Sequence, residues 1–142
     1  MADRYRENSV NRLVDLVNKK YNANWKSTNY GVTDKLKDSK LGDVFDKKNN
    51  VRIEVKSTAF ISNMCCANTE TDYFILSNEG GLDGRMFLTQ SIKNWRVNHN
   101  PSEFDHTGFQ TGDEGFHFPS YDYKEYSVSI EEYLNGIFPK SF

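Results

Sequence analysis

The chemistry this chain could perform turns on Asp43, Glu54 and Lys56. Two carboxylates and an ammonium brought together can hold a divalent cation and offset the charge of a phosphate. Whether they meet depends on the stretch that carries them. Val51, Ile53 and Val55 alternate with Arg52, Glu54 and Lys56, the period-two pattern of a strand with one buried face. Glu54 and Lys56 therefore share a face. Lys47-Lys-Asn-Asn50 reads as a polar turn, because Asn tolerates positive φ and lysines favour water. A hairpin with a two- or four-residue loop centred on Lys48 and Asn49 pairs positions that sum to 97. Asp43 then lies opposite Glu54, and Phe45 opposite Arg52. Side chains so opposed stand about 4.5–5.5 Å apart at Cβ, where like charges repel unless a cation joins them. A loop centred on Asn49-Asn50 would instead oppose Asp43 to Lys56. A three-residue loop would turn the set to opposite faces.

Gly42-Asp43 followed by Glu54-Val55-Lys56 resembles the PD-(D/E)XK nuclease superfamily, whose signature is an acid at the start of one strand and acid-x-lysine in the next. Gly42 stands where that family commonly has proline. The resemblance runs from the first helix to Lys56. It implies an α/β, restriction-endonuclease-like fold, a mixed sheet flanked by helices, in a single domain over residues 1–142. It also implies a Mg²⁺-dependent endonuclease, with Mn²⁺ able to substitute. The metal ligands would be Asp43, Glu54 and the main-chain carbonyl of Val55, with Lys56 assisting the attacking water. Many members carry a further acid on the first helix, and Glu7 would be that residue here. DNA is the expected substrate, with RNA as the other candidate, and the small enzymes that this chain is similar to in size work as homodimers.

The elements that must position these groups follow from periodicity. Val10, Leu13, Val14, Val17 and Tyr21 recur at helical spacing, so residues 4–21 should form an amphipathic helix with Asp3 as its N-cap. Glu7 prolongs that apolar stripe at its start, although a first-turn glutamate is also favoured by the helix dipole. Residues 22–42 read as polar loop, with Asp34 and Asp38 as fallback acids off any strand. Strands are expected at 72–77 and 85–89, a short helix at 90–97, and a last helix at 130–136 opened by a Ser129/Glu132 capping box. Residues 57–66 read as a helix or an irregular segment. Residues 98–120 read as one long loop holding all three histidines, without zinc-finger spacing.

Charge is unevenly spread. Residues 1–56 hold thirteen Lys/Arg and eight Asp/Glu, a balance of +5, whereas residues 57–142 carry −7. The positive half is the half with the candidate site, which suits a polyanionic partner. Lys35, Lys37, Lys40, Lys47, Lys48 and Arg52 are the candidate nucleic-acid contacts, though charges of this kind are also simply solvated. No apolar run approaches a membrane span and the N-terminus lacks a signal-like apolar stretch. The adjacent Cys65 and Cys66 read as reduced thiols. A cytoplasmic protein of bacterial or viral origin, without membrane partners, is the expectation. Two other readings compete with the nuclease. One is a non-catalytic module of the same fold that binds nucleic acid or a protein. The other is an unrelated protein in which Asp43, Glu54 and Lys56 form a surface ladder of ion pairs.

Overall fold

The computed structural model describes residues 2–77, 81–99, 106–107 and 114–142, with side chains for all but 2–7 and 106–107 of these. The helical spacing of Val10, Leu13, Val14 and Val17 gives α1 (Ala2–Tyr21), and all four are buried. The helix already includes Asp3 in its first turn, so Asp3 does not stand before it as the cap.

The chain then forms β1 (Trp25–Ser27), α2 (Tyr30–Thr33) and α3 (Lys35–Leu41). These two short helices replace the expected loop. Asp34 caps α3 by accepting from the Lys37 amide at 3.2 Å. No residue of α3 is buried, so it has no apolar stripe from which it could be recognised.

Next come β2 (Val44–Asp46), β3 (Val51–Lys56), β4 (Phe60–Ser62), α4 (Asn63–Asn68), β5 (Tyr73–Leu76), β6 (Arg85–Leu88) and α5 (Thr89–Val97). The chain ends with β7 (His106–Thr107), β8 (Glu114–His117), a single 3-10 turn at Lys124–Tyr126, β9 (Val128–Ser129) and α6 (Ile130–Leu134). The Ser129/Glu132 capping box forms, with bonds of 3.0 and 2.9 Å. The stretch expected as one loop thus contains two strands, while residues 100–105 and 108–113 lie outside the described ones.

The fold is α/β with a mixed sheet of order β1-β2-β3-β5-β6-β9. Among the described strands only β3 and β5 pair in parallel, joined by a crossover through β4 and α4. A second, antiparallel sheet has the order β4-β8-β7. Alternation along the strands divides the main core in two. On one face Val44, Ile53, Ile75, Met86 and Val128 pack with α1 and α6. On the other, Phe74, Leu76 and Phe87 pack with Ile61 and Phe116 of the small sheet and with Ile92 and Trp95 of α5. Glu54 and Lys56 alternate with Ile53 and Val55, so they project into this second layer. β3 is therefore covered on both faces, not one. Among the described residues no helix is long and apolar enough to cross a membrane.

Candidate active site

The β2–β3 hairpin takes the register Val44↔Ile53, Phe45↔Arg52 and Asp46↔Val51, which is the sum of 97. The turn at 47–50 carries Asn50 at φ 55, and Asp46 closes it by accepting from the Lys48 and Asn49 amides at 3.1 and 3.3 Å. The Tyr133 hydroxyl donates to the same Asp46 carboxylate at 2.6 Å.

Beyond the last ladder pair, Asp43 is held by two bonds that straddle Glu54. Its amide donates to the Ile53 carbonyl at 3.0 Å, and its Oδ2 accepts from the Val55 amide at 2.8 Å. The Asp43 charge acts directly on the Glu54 carboxyl. Both residues are buried, at 6% and 5% exposure, so they do not form a surface ladder of ion pairs. Glu54 Oε1 lies 3.7 Å from Lys56 Nζ. Glu54 Oε2 is buried without a hydrogen-bond partner. Burial, and next the Asp43 charge, raise the Glu54 carboxyl well above the usual range, while Lys56 opposes them and Asp38 on α3 adds to them.

Gly42 makes this approach possible. It ends α3 at φ 78 and ψ −163, donating its amide to the Asp38 carbonyl at 3.2 Å. That backbone region is essentially reserved for glycine. A Cβ here would stand 2.8 Å from the Ile53 carbonyl oxygen and 3.2 Å from Glu54 Oε2. Gly42 is thus required by the turn from α3 into β2.

The remaining candidates are distributed unevenly. Lys35, Lys37 and Lys40 are exposed on α3, whose chain leads directly into Asp43. Lys47 and Lys48 sit in the turn at the other end of β2, about 13 Å along the strand from Asp43. Arg52 lies between, its guanidinium 4.8 Å over the Phe45 ring. The Glu7 side chain lies outside the described residues, and the helix that carries it packs on the sheet face opposite Glu54. His99 stacks on Trp95 at 4.0 Å and His117 meets Phe60 edge-on at 5.2 Å. Asp38 and Cys65 are neighbours of the site that strand alternation could not find, since both sit on short helices.

A divalent cation fits these residues. Two adjoining buried carboxylates, one with an orphaned oxygen, outweigh the single lysine charge and call for a positive partner. In a strand the N–H and C=O of one residue point to the same side, so the Val55 carbonyl faces the side on which Asp43 stands. Among the described residues, no three His, Cys, Asp or Glu side chains gather as a metal-holding group. The chain matches no protein-family model, no curated protein and no solved structure.

Proposed function

We propose that this chain is a Mg²⁺-dependent endonuclease that hydrolyses phosphodiester bonds, most naturally in DNA, through a restriction-endonuclease-like site. The observation that carries the reading is the buried Asp43–Glu54 pair with an orphaned oxygen, next to Lys56. A pair so buried is destabilising without a cation, so its presence favours function over fold. Asp43, Glu54 and the Val55 carbonyl would hold the ion. When bound, the ion supplies positive charge that polarises the phosphate and lowers the pKa of a water.

The chain's own groups do the rest. The Val55 amide orients the Asp43 carboxylate. Lys56 orients the attacking water and offsets the charge that develops on the phosphate oxygens. Lys35, Lys37 and Lys40 hold the backbone of the substrate beside the site. A homodimer would present two such sites to the two strands of a duplex.

The test is incubation with Mg²⁺ or Mn²⁺ and a panel of linear, circular, single-stranded and branched DNA, together with RNA. Cleavage by the wild type that is lost in Lys56→Ala supports the proposal. Tight binding with no cleavage under any metal would make the protein a non-catalytic module and sink it.

A further inference from the structure

The first three strands of the main sheet differ on their two faces. Trp25, Val44 and Ile53 are buried together with the apolar stripe of α1. The other face carries one cross-strand row. Lys26 of β1 pairs with Phe45 of β2, and Phe45 pairs with Arg52 of β3. Alternation puts this row on the face of Asp43 and Glu54, which lie about 7 Å further along the strands. Phe45 is half-buried, yet among the described residues it joins neither core layer. What it meets is the Arg52 guanidinium, 4.8 Å from the centre of its ring. Asp72, next to Arg52 on the adjoining strand, turns its carboxylate to the Arg52 amide at 2.9 Å. Among the described residues the Arg52 guanidinium makes no hydrogen bond or ion pair, and neither does the exposed Lys26 ammonium.

From this geometry we infer that Lys26, Phe45 and Arg52 form a stacking subsite for an unpaired nucleotide adjoining the phosphate that is cut, so that the substrate is single-stranded at that point. The inference rests on the nuclease reading for the position of the cut. A nucleobase stacks on an aromatic face and on a guanidinium plane alike. In a duplex both faces of a base are covered by its neighbours, so only an unpaired base can be received here. The two cations on either side of the ring suit the negative backbone of the same strand. Lys26 supplies a point charge for a phosphate, whereas Arg52 offers both a plane and a fork of donors. A cation–π pair across two strands also steadies a hairpin, so binding and folding must be read separately.

The test measures fluorescence anisotropy of labelled strands with the full chain in Ca²⁺, beside a thermal melt of each variant. The probes are an oligothymidylate, an oligouridylate, an abasic strand of the same length and a blunt duplex. Phe45→Leu should weaken oligothymidylate binding about tenfold and leave the abasic strand and the duplex unchanged. Phe45→Tyr, which keeps a stacking face, should bind as the wild type does. Arg52→Lys keeps the charge but loses the plane, and should lose affinity for the base-bearing strand more than for the abasic one. Lys26→Gln should weaken both strands equally and lower the salt slope by about 0.7. Tight binding of either oligonucleotide counts for the subsite, and the tighter one names the sugar it accepts. Equal losses on base-bearing and abasic strands would overturn the inference, as would a blunt duplex bound more tightly than the single strand. If Phe45→Leu melts below the assay temperature, Arg52→Lys decides, and wild-type binding of both strands by that variant overturns the inference. In Mg²⁺, an inert wild type that shows these binding differences sinks the nuclease reading and leaves the subsite standing. An active wild type without them sinks the subsite alone.

Discussion

Gly42→Ala puts the junction between α3 and the first acid under direct test. Residue 42 sits at φ 78 and ψ −163, where a residue with a Cβ loses about 1–3 kcal/mol to backbone strain. The added carbon would also lie 2.6 Å from Thr71 Cγ2 and 2.8 Å from the Ile53 carbonyl oxygen. Neither partner is the loose end of a long side chain, and one is strand backbone. Relieving such overlap costs a further ~1–3 kcal/mol. The sum, about 2–6 kcal/mol, is a large share of an ordinary stability of about 5–15 kcal/mol. Urea denaturation should therefore show a midpoint lowered by roughly 1–3 M. The same Cβ crowds Glu54 Oε2 at 3.2 Å, so cleavage in dilute buffer should fall by more than the unfolded fraction explains. Gly136→Ala is the control. It also has positive φ, 86, but nothing lies within 4 Å of its would-be Cβ, so it should show the smaller strain loss and wild-type activity. A Gly42→Ala midpoint within about 0.2 M of wild type would refute the reasoning.

Three further outcomes are expected. Glu54 has a folded-state pKa raised by burial and by Asp43, so the stability it contributes is present below the usual glutamate value and lost as pH rises through the raised one. In EDTA, Glu54→Gln should thus gain stability relative to wild type between pH 4 and pH 8 by urea titration while losing cleavage in Mg²⁺, and a gap that stays constant with pH would count against the buried pair. Lys56→Ala should slow cleavage roughly 10²–10³-fold yet retain DNA binding in Ca²⁺, measured by fluorescence anisotropy; undiminished cleavage would remove Lys56 from the site. Tyr133→Phe deletes the 2.6 Å bond to the buried Asp46 carboxylate and should cost about 1.5–3 kcal/mol in a denaturant melt, with cleavage at low temperature little changed.

The parts of this fold legible in the sequence are those written in short-range pattern. Alternation at Val51–Lys56 and the polar turn gave the hairpin and left three registers, of which the one centred on Lys48 and Asn49 forms, and helical spacing gave α1. The Ser129/Glu132 box announced α6 because capping is a local contact. Helices α2 and α3 were not legible, since neither repeats an apolar stripe and a cap at Asp34 marks α3 only once the helix is known. The small sheet was hidden for a different reason. Phe60–Ser62 finds its partner in Glu114–His117, and nothing local in either strand names the other. For the site, the direct neighbours Asp43, Glu54 and Lys56 followed from strand geometry. Gly42's role needed its backbone angle, and the nearness of Asp38 to Glu54 needed the placement of α3. Those are properties of the turn and the helix, and residue type alone does not contain them.

The clasp between Tyr133 and Asp46 bears on when the protein becomes able to act. The two residues are 87 positions apart, and a ribosome makes about 5–20 residues per second. Roughly 4–17 s therefore separate the synthesis of the turn from the synthesis of the group that locks it. The parallel partner of β3 is also made later than β3 itself. A growing chain carries its acids and its lysine long before it carries the structure that aligns them. The alignment of Asp43, Glu54 and Lys56 thus waits on segments made well after them.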